Sequence, residues 1–91
     1  MKKTKKLNIT KSRELFEQAL TLIPGGVLGA RKPGDFINGE YPIFLDTGKG
    51  CRLIDVDGNE FVDFLCGYGP IILGYCEKEV DEAVYKQIKE K

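Results

Sequence analysis

The stretch from Cys51 to Leu65 constrains the fold most. Two runs rich in β-branched and aromatic residues, Arg52-Leu53-Ile54-Asp55-Val56 and Glu60-Phe61-Val62-Asp63-Phe64, flank the dipeptide Asp57-Gly58. Such a dipeptide suits a two-residue hairpin turn, because the turn demands positive φ and glycine takes it without a Cβ clash. Upstream, Ile43-Phe44-Leu45 reads as a further short strand, ended by the turn residues Thr47-Gly48-Lys49-Gly50. The expected sheet is a three-stranded antiparallel β-meander.

Helices are expected on both sides of it. Ser12 followed by Arg13-Glu14-Leu15 reads as an N-cap with an acid in the first turn, where the helix dipole favours negative charge. Leu15, Phe16, Ala19, Leu20 and Ile23 then recur on one helical face, and Pro24-Gly25-Gly26 ends the helix. Val27 to Pro42 has no sustained period and is expected to be an irregular connection. A loop of that length is either a functional surface or a solvated link. Ala30-Arg31-Lys32-Pro33 puts two cations on it, beside a glycine-rich turn. Glu77 to Lys91 closes the chain as a helix, with Val80, Ala83, Val84 and Ile88 on one face and acids in its first turn. The fold class is α+β: a helix, a long loop, the meander and a second helix.

Ninety-one residues suffice for one compact unit with a small core. Histidine is absent, which removes any Ser-His-Asp or Cys-His pair, any His-ligated zinc and any imidazole acid or base within these residues. Fourteen basic and fourteen acidic side chains balance, so the whole-chain charge points neither to nucleic acid nor to an anionic membrane. The distribution is uneven: residues 1–13 carry six positive charges and no negative one, and the remainder has a net charge of −6. Residues 1–11 therefore read as a basic flexible arm, either solvated or in weak contact with an acidic surface. Asn8, Thr10, Lys11 and Ser12 interrupt what would be the apolar core of a signal peptide. The uncharged stretch from Leu65 to Cys76 has twelve residues, four of them Gly or Pro, too short and too broken for a membrane span. Cys51, Cys66 and Cys76 are an odd set without C-x-x-C spacing, expected to be reduced and mostly buried in a cytoplasmic protein.

Three motif matches fail on spacing. With Gly58 as the turn glycine of a calcium loop, the first ligand position falls on Leu53 and the bidentate acid on Phe64. Gly67-x-Gly69 finds its third glycine only at Gly74, two places too late for a dinucleotide fingerprint, and no P-loop lysine follows a glycine loop. Asp55 and Asp63 form a conceivable acid and base pair, but alternating strands ordinarily turn such acids to solvent. Tyr68, within Cys66-Gly67-Tyr68-Gly69-Pro70, is either a core residue or an aromatic beside residues that let a ligand come close.

The ordered set Ser12-x-Glu14-Leu15-Phe16, Leu22-Ile23-Pro24-Gly25-Gly26-Val27, Pro42-Ile43-Phe44, Gly50, Asp55-Val56-Asp57-Gly58-Asn59, Asp63, Gly69-Pro70-x-Ile72-Leu73-Gly74 and Glu79-Val80-x-Glu82-Ala83-Val84 resembles the N-terminus of glutamate-1-semialdehyde aminomutases and related class III aminotransferases. The resemblance runs from Ser12 to Val84. It implies the N-terminal segment of a fold-type I enzyme that depends on pyridoxal 5'-phosphate, acts on a small amino substrate and works as a cytoplasmic homodimer, or here together with a complementing C-terminal polypeptide. Residues 12–91 correspond to the beginning of that fold. The family's Schiff-base lysine, its pyridinium-binding Asp and most of its phosphate cup lie downstream, so no catalytic residue is assigned.

By the same resemblance this segment supplies one wall of the active site and part of the dimer contact. Gly29 stands where the aminomutases have a substrate-binding Ser. Lys32, or Arg31 with a one-residue shift, stands at their carboxylate-binding Arg, and Tyr68 stands at a Trp that packs beside cofactor and substrate. A rival reading is a non-catalytic interaction module that kept the family's dimer surface.

Overall fold

The computed structural model describes residues 6–29, 31–36 and 40–91. They fall into two compact units, one comprising the residues up to Asp46 together with Asp55–Asn59, the other Thr47–Ile54 with Glu60–Lys91.

The first unit is built on helix α1, Thr10–Leu22. It begins three residues before the expected start: Ile9 is the N-cap, and Ser12 lies inside the helix, fully buried. Ser12 is not the cap because other groups satisfy the free amides of the first turn. Asp57 accepts the Lys11 amide at 2.8 Å and the Ser12 amide at 2.9 Å, and the Asn8 side-chain oxygen accepts the Thr10 amide at 3.2 Å. The Ser12 hydroxyl is thereby free to accept the Phe44 amide at 3.2 Å. No acid stands in the first turn, since Glu14 comes one turn later than expected. Residues 1–5 of the expected basic arm lie outside the described residues, and Thr10 and Lys11 open the helix.

The helix ends as its sequence suggests. The Ile23 amide donates to the Ala19 carbonyl, and Pro24–Gly26 forms a 3-10 turn with Gly25 at φ 75° and Gly26 at φ 70°. Gly26 is required twice over, because a Cβ there would lie 2.5 Å from the Phe16 ring as well as demand left-handed backbone.

Three strands make one sheet in the order β1 (Leu45–Lys49), β2 (Arg52–Asp55), β3 (Glu60–Val62). β2 and β3 pair antiparallel, with Arg52 opposite Val62 and Ile54 opposite Glu60. The sequence placed the first strand at 43–45 and the turn at 47–50. Instead β1 runs through Thr47-Gly48-Lys49, and Gly48 serves close approach, since a Cβ there would crowd the Tyr75 and Leu53 side chains at 2.8 and 2.9 Å. Ile43 and Phe44 stand outside the strand. The hairpin loop is longer than two residues: the Asp55 amide donates to the Asn59 carbonyl, three residues, Val56 to Gly58, lie inside that pair, and Gly58, at φ 84°, closes a turn onto the Asp55 carbonyl.

Asp55 was expected to face solvent and is 2% exposed. Its carboxylate accepts the amides of Asp57 (3.0 Å) and Asn59 (2.7 Å) and the Asn59 side-chain amide (2.7 Å), which also donates to the Asn8 carbonyl. Every buried residue among those described, Ile9, Ser12, Gly26, Pro42 and Asp55, belongs to the first unit.

The second unit has none. Its helix α2, Lys78–Glu90, carries Glu79 and Asp81 in the first turn and Lys89 in the last, as its charge pattern predicts. Its apolar residues Val80, Val84, Tyr85 and Ile88 are all exposed. The three cysteines are free, as expected, but Cys51 and Cys76 are exposed and Cys66 half-buried, against the expectation of buried thiols. In a unit without an interior there is nothing to bury them in. Among the described residues no helix is long and apolar enough to cross a membrane.

Candidate functional site

In the first unit the loop after α1 and the approach to β1 line an open cavity of about 420 Å³. Phe16, Ile23, Val27, Phe36 and Phe44 make its walls apolar, and among the described residues Arg31 is the one charged residue on it. Phe36 stacks on Tyr41 with ring centroids 4.4 Å apart, fixing one side. Lys32 does not line the cavity: its amide donates to the Asp35 carboxylate at 2.8 Å, starting the 3-10 turn Pro33–Asp35, and its side chain lies over Gly25. Gly29 is exposed with open space where a side chain would be, so no hydroxyl is offered there. Of the two cations given for one role, Arg31 faces the cavity. Ala30, between them and Gly29, lies outside the described residues.

Tyr68 belongs to the second unit, where its ring is 90% exposed, so the core-packing reading does not hold. It sits in an unusual turn. Cys66, Gly67, Tyr68 and Gly69 take φ of 51°, 58°, 66° and 108°, four consecutive residues in the left-handed region. Successive bonds from the Tyr68 amide to Leu65 and from the Gly69 amide to Cys66 wind them together. A non-glycine residue in that region costs about 1–2 kcal/mol, so the turn persists only if its surroundings hold it.

They do so through Asp63. Its carboxylate accepts the Leu65 amide at 2.8 Å, the Cys66 amide at 3.1 Å and the Tyr75 hydroxyl at 2.8 Å. The bond from Tyr75, then those from the two amides, hold the Asp63 carboxyl below the usual carboxylate range against partial desolvation. The same bond, followed by desolvation and the Asp63 charge, raises the Tyr75 phenol above its ordinary value. In the first unit, desolvation pushes Asp57 upward, but the Ser12 and Lys11 amides, the Ser12 hydroxyl and the Lys11 charge outweigh it and leave its carboxyl lowered.

Sequence reasoning missed Asp63 and Tyr75 as partners. The signal available was an aspartate four residues before the first glycine of a glycine-dense segment, a residue type that builds Asx-type turns.

A model of the class III aminotransferases matches residues 36–91, and the chain belongs to that family. It is 62% identical over 86 residues to the 3-aminobutyryl-CoA aminotransferase of Cloacimonas acidaminovorans (strain Evry), covering 94% of this chain and 21% of that protein. To the glutamate-1-semialdehyde 2,1-aminomutase of Clostridium novyi (strain NT) it is 39% identical over 85 residues, 93% of this chain and 19% of that one. Its backbone superposes on the PLP internal aldimine form of the FumI protein of Sphingopyxis sp. MTA144 with a TM-score of 0.74 and 35% identity, over 86% of this chain and 19% of that chain. The chain thus spans about a fifth of the length of the relatives it matches.

The family and its PLP-bound structural relatives imply pyridoxal 5'-phosphate as cofactor. The described residues do not hold that group by themselves. Every lysine among them is exposed, so none stands in the desolvated setting that a Schiff-base lysine needs, and the cavity at Arg31 is apolar where a phosphate cup would be polar. Tyr68 offers an aromatic face without an enclosing pocket.

Proposed function

We propose that this chain supplies the substrate-side wall, and part of the dimer contact, of a cytoplasmic PLP-dependent aminotransferase or aminomutase acting on a small amino substrate. The observation that carries the reading is the 62% identity across 94% of the chain to an aminotransferase. Residues 12–91 act as the N-terminal segment of that enzyme. Arg31, on the lining of an apolar cavity, is suited to hold an anionic group of the substrate while the walls cover its carbon skeleton. Tyr68 gives an aromatic face to cofactor and substrate. The relative named for 3-aminobutyryl-CoA favours an amine carried on an acyl thioester. In such a substrate the carboxyl is tied up in the thioester, so the anion it offers Arg31 is a phosphate of the CoA moiety.

Alone, the chain is expected neither to bind the cofactor covalently nor to turn over. Adding pyridoxal 5'-phosphate to the purified chain and recording its absorbance before and after borohydride tests this. The expected result is the spectrum of the free aldehyde and no mass increase. A stoichiometric, borohydride-fixed adduct on one lysine contradicts it.

The interaction-module reading draws on the exposed apolar face of α2. Size-exclusion and pull-down with a full-length homologue separate the two: saturable binding by a stable monomer favours the module, and aggregation favours the enzyme segment.

A further inference from the structure

Four consecutive left-handed residues, two of them not glycine, are an arrangement that a chain does not hold without reason. The turn they form ends in a tyrosine ring left 90% exposed, so packing of that ring does not stabilise it. What holds it is polar and lies on both sides. Asp63 stands at the end of β3, where its amide donates to the Cys51 carbonyl at 2.8 Å, and its carboxylate ties down the first two amides of the turn. Tyr75 stands beyond the turn, exchanging backbone bonds with Gly50 at 3.0 and 2.8 Å, and its hydroxyl meets the same carboxylate. One carboxylate therefore joins the strand before the turn, the turn and the bridge after it. Asp63, Tyr75, Cys66 and Gly74 also border one small cavity of about 110 Å³, so the junction is locally enclosed although no member is fully buried.

We propose that Asp63 and Tyr75 are positioning residues, whose hydrogen-bonded pair fixes the left-handed turn at residues 66–69 and with it the direction in which the Tyr68 ring is presented. The functional sense of this rests on the role given above to Tyr68 as an aromatic wall; the conformational part stands without it. Removing the carboxylate frees two amides and a phenol at once, and the turn relaxes toward the right-handed region that Cys66 and Tyr68 otherwise prefer. Removing the Tyr75 hydroxyl takes away one of the three anchors and leaves the amide contacts in place.

The chain contains no tryptophan, so Tyr68→Trp gives a single fluorescent reporter at the turn. Its anisotropy decay is compared in that background alone, with Asp63→Ala and with Tyr75→Phe, and the helical circular dichroism is recorded for each. The proposal expects a large loss of indole order with Asp63→Ala, which leaves no side-chain acceptor for the Leu65 and Cys66 amides, and a smaller one with Tyr75→Phe, while the helical signal of the Tyr75→Phe chain stays unchanged. Unchanged indole order in both variants overturns it. If Asp63→Ala also loses the helical signal, Tyr75→Phe alone decides: loss of order supports the proposal and no change refutes it. Adding the remainder of a class III aminotransferase with pyridoxal 5'-phosphate then separates the two readings. Quenching of the ordered indole supports the wall, and its absence removes the wall but leaves the positioning result intact.

Discussion

Asp57 and Asp63 do similar work in the two units: each carboxylate gathers two backbone amides, Lys11 and Ser12 in one case, Leu65 and Cys66 in the other. Their surroundings differ. Around Asp57 the first unit closes a polar knot, with buried Asp55 and Ser12 and the linking side chains of Asn8 and Asn59. Around Asp63 the second unit buries no residue, and Phe64, Tyr68, Ile72, Val84 and Ile88 all stand open. Polar bonds between neighbouring segments set local shape in both units, but only the first adds an interior. The second leaves its apolar residues open, and the chain spans about a fifth of its relatives' length.

The comparison breaks first at Asp55. Asp55→Ala leaves the amides of Asp57 and Asn59 unpaired in a buried place, an expected cost of about 3 kcal/mol read as a shift of the urea midpoint of helical dichroism. Gly26→Ala combines a left-handed backbone with a clash on the Phe16 ring and is expected to cost about 2 kcal/mol in the same assay. An unchanged midpoint in both variants means the first unit does not rest on this knot.

Titration sharpens it. Asp57 and Asp63 both have lowered carboxyls, so the stability they contribute is fully present above the unfolded value near ~3.9 and disappears as pH falls through their lower folded values. The Tyr75 contribution has the opposite sense: it is complete below ~10 and is lost as pH rises through the raised phenol value. Phenol absorbance of the parent minus that of Tyr75→Phe is expected to show a late-ionising tyrosine. The smallest effect is expected at α2. Val84→Ser, on an exposed face, changes stability by no more than about 0.5 kcal/mol but reduces self-association in sedimentation, which a covered face would not do.

What was legible in the sequence was what local chemistry decides. Pro24-Gly25-Gly26 stops α1 because a lost donor and two permissive residues act on their own neighbours. The meander and the charge order of α2 are local in the same sense. Ser12 misled because a serine before a helical pattern is a cap only while nothing better arrives, and here a carboxylate 45 residues away arrives. Asp55 misled for a related reason: alternation predicts an outward acid, but the hairpin loop turned three donors onto it. Gly48 read as a turn, yet its lack of a side chain makes room for Tyr75 inside a strand pairing. On the apolar face of α1, Leu15 and Phe16 are half-buried, whereas Leu20 is open at 46%. For the site, the resemblance singled out Arg31 and Tyr68 by position. The carboxylate that shapes the turn around Tyr68 was visible only as one more strand acid.

Amide hydrogen exchange on this chain, alone and then with the remaining part of a class III aminotransferase, tests the central contrast most directly. Alone, the amides of Lys11, Ser12, Phe44 and Asn59 are expected to be protected while those of α2 exchange early. On adding the complement, protection is expected to rise across α2 and residues 64–73 and to change little at the knot. If α2 is as protected as α1 in the isolated chain, and the complement changes nothing, the second unit needs no cover and the account is wrong.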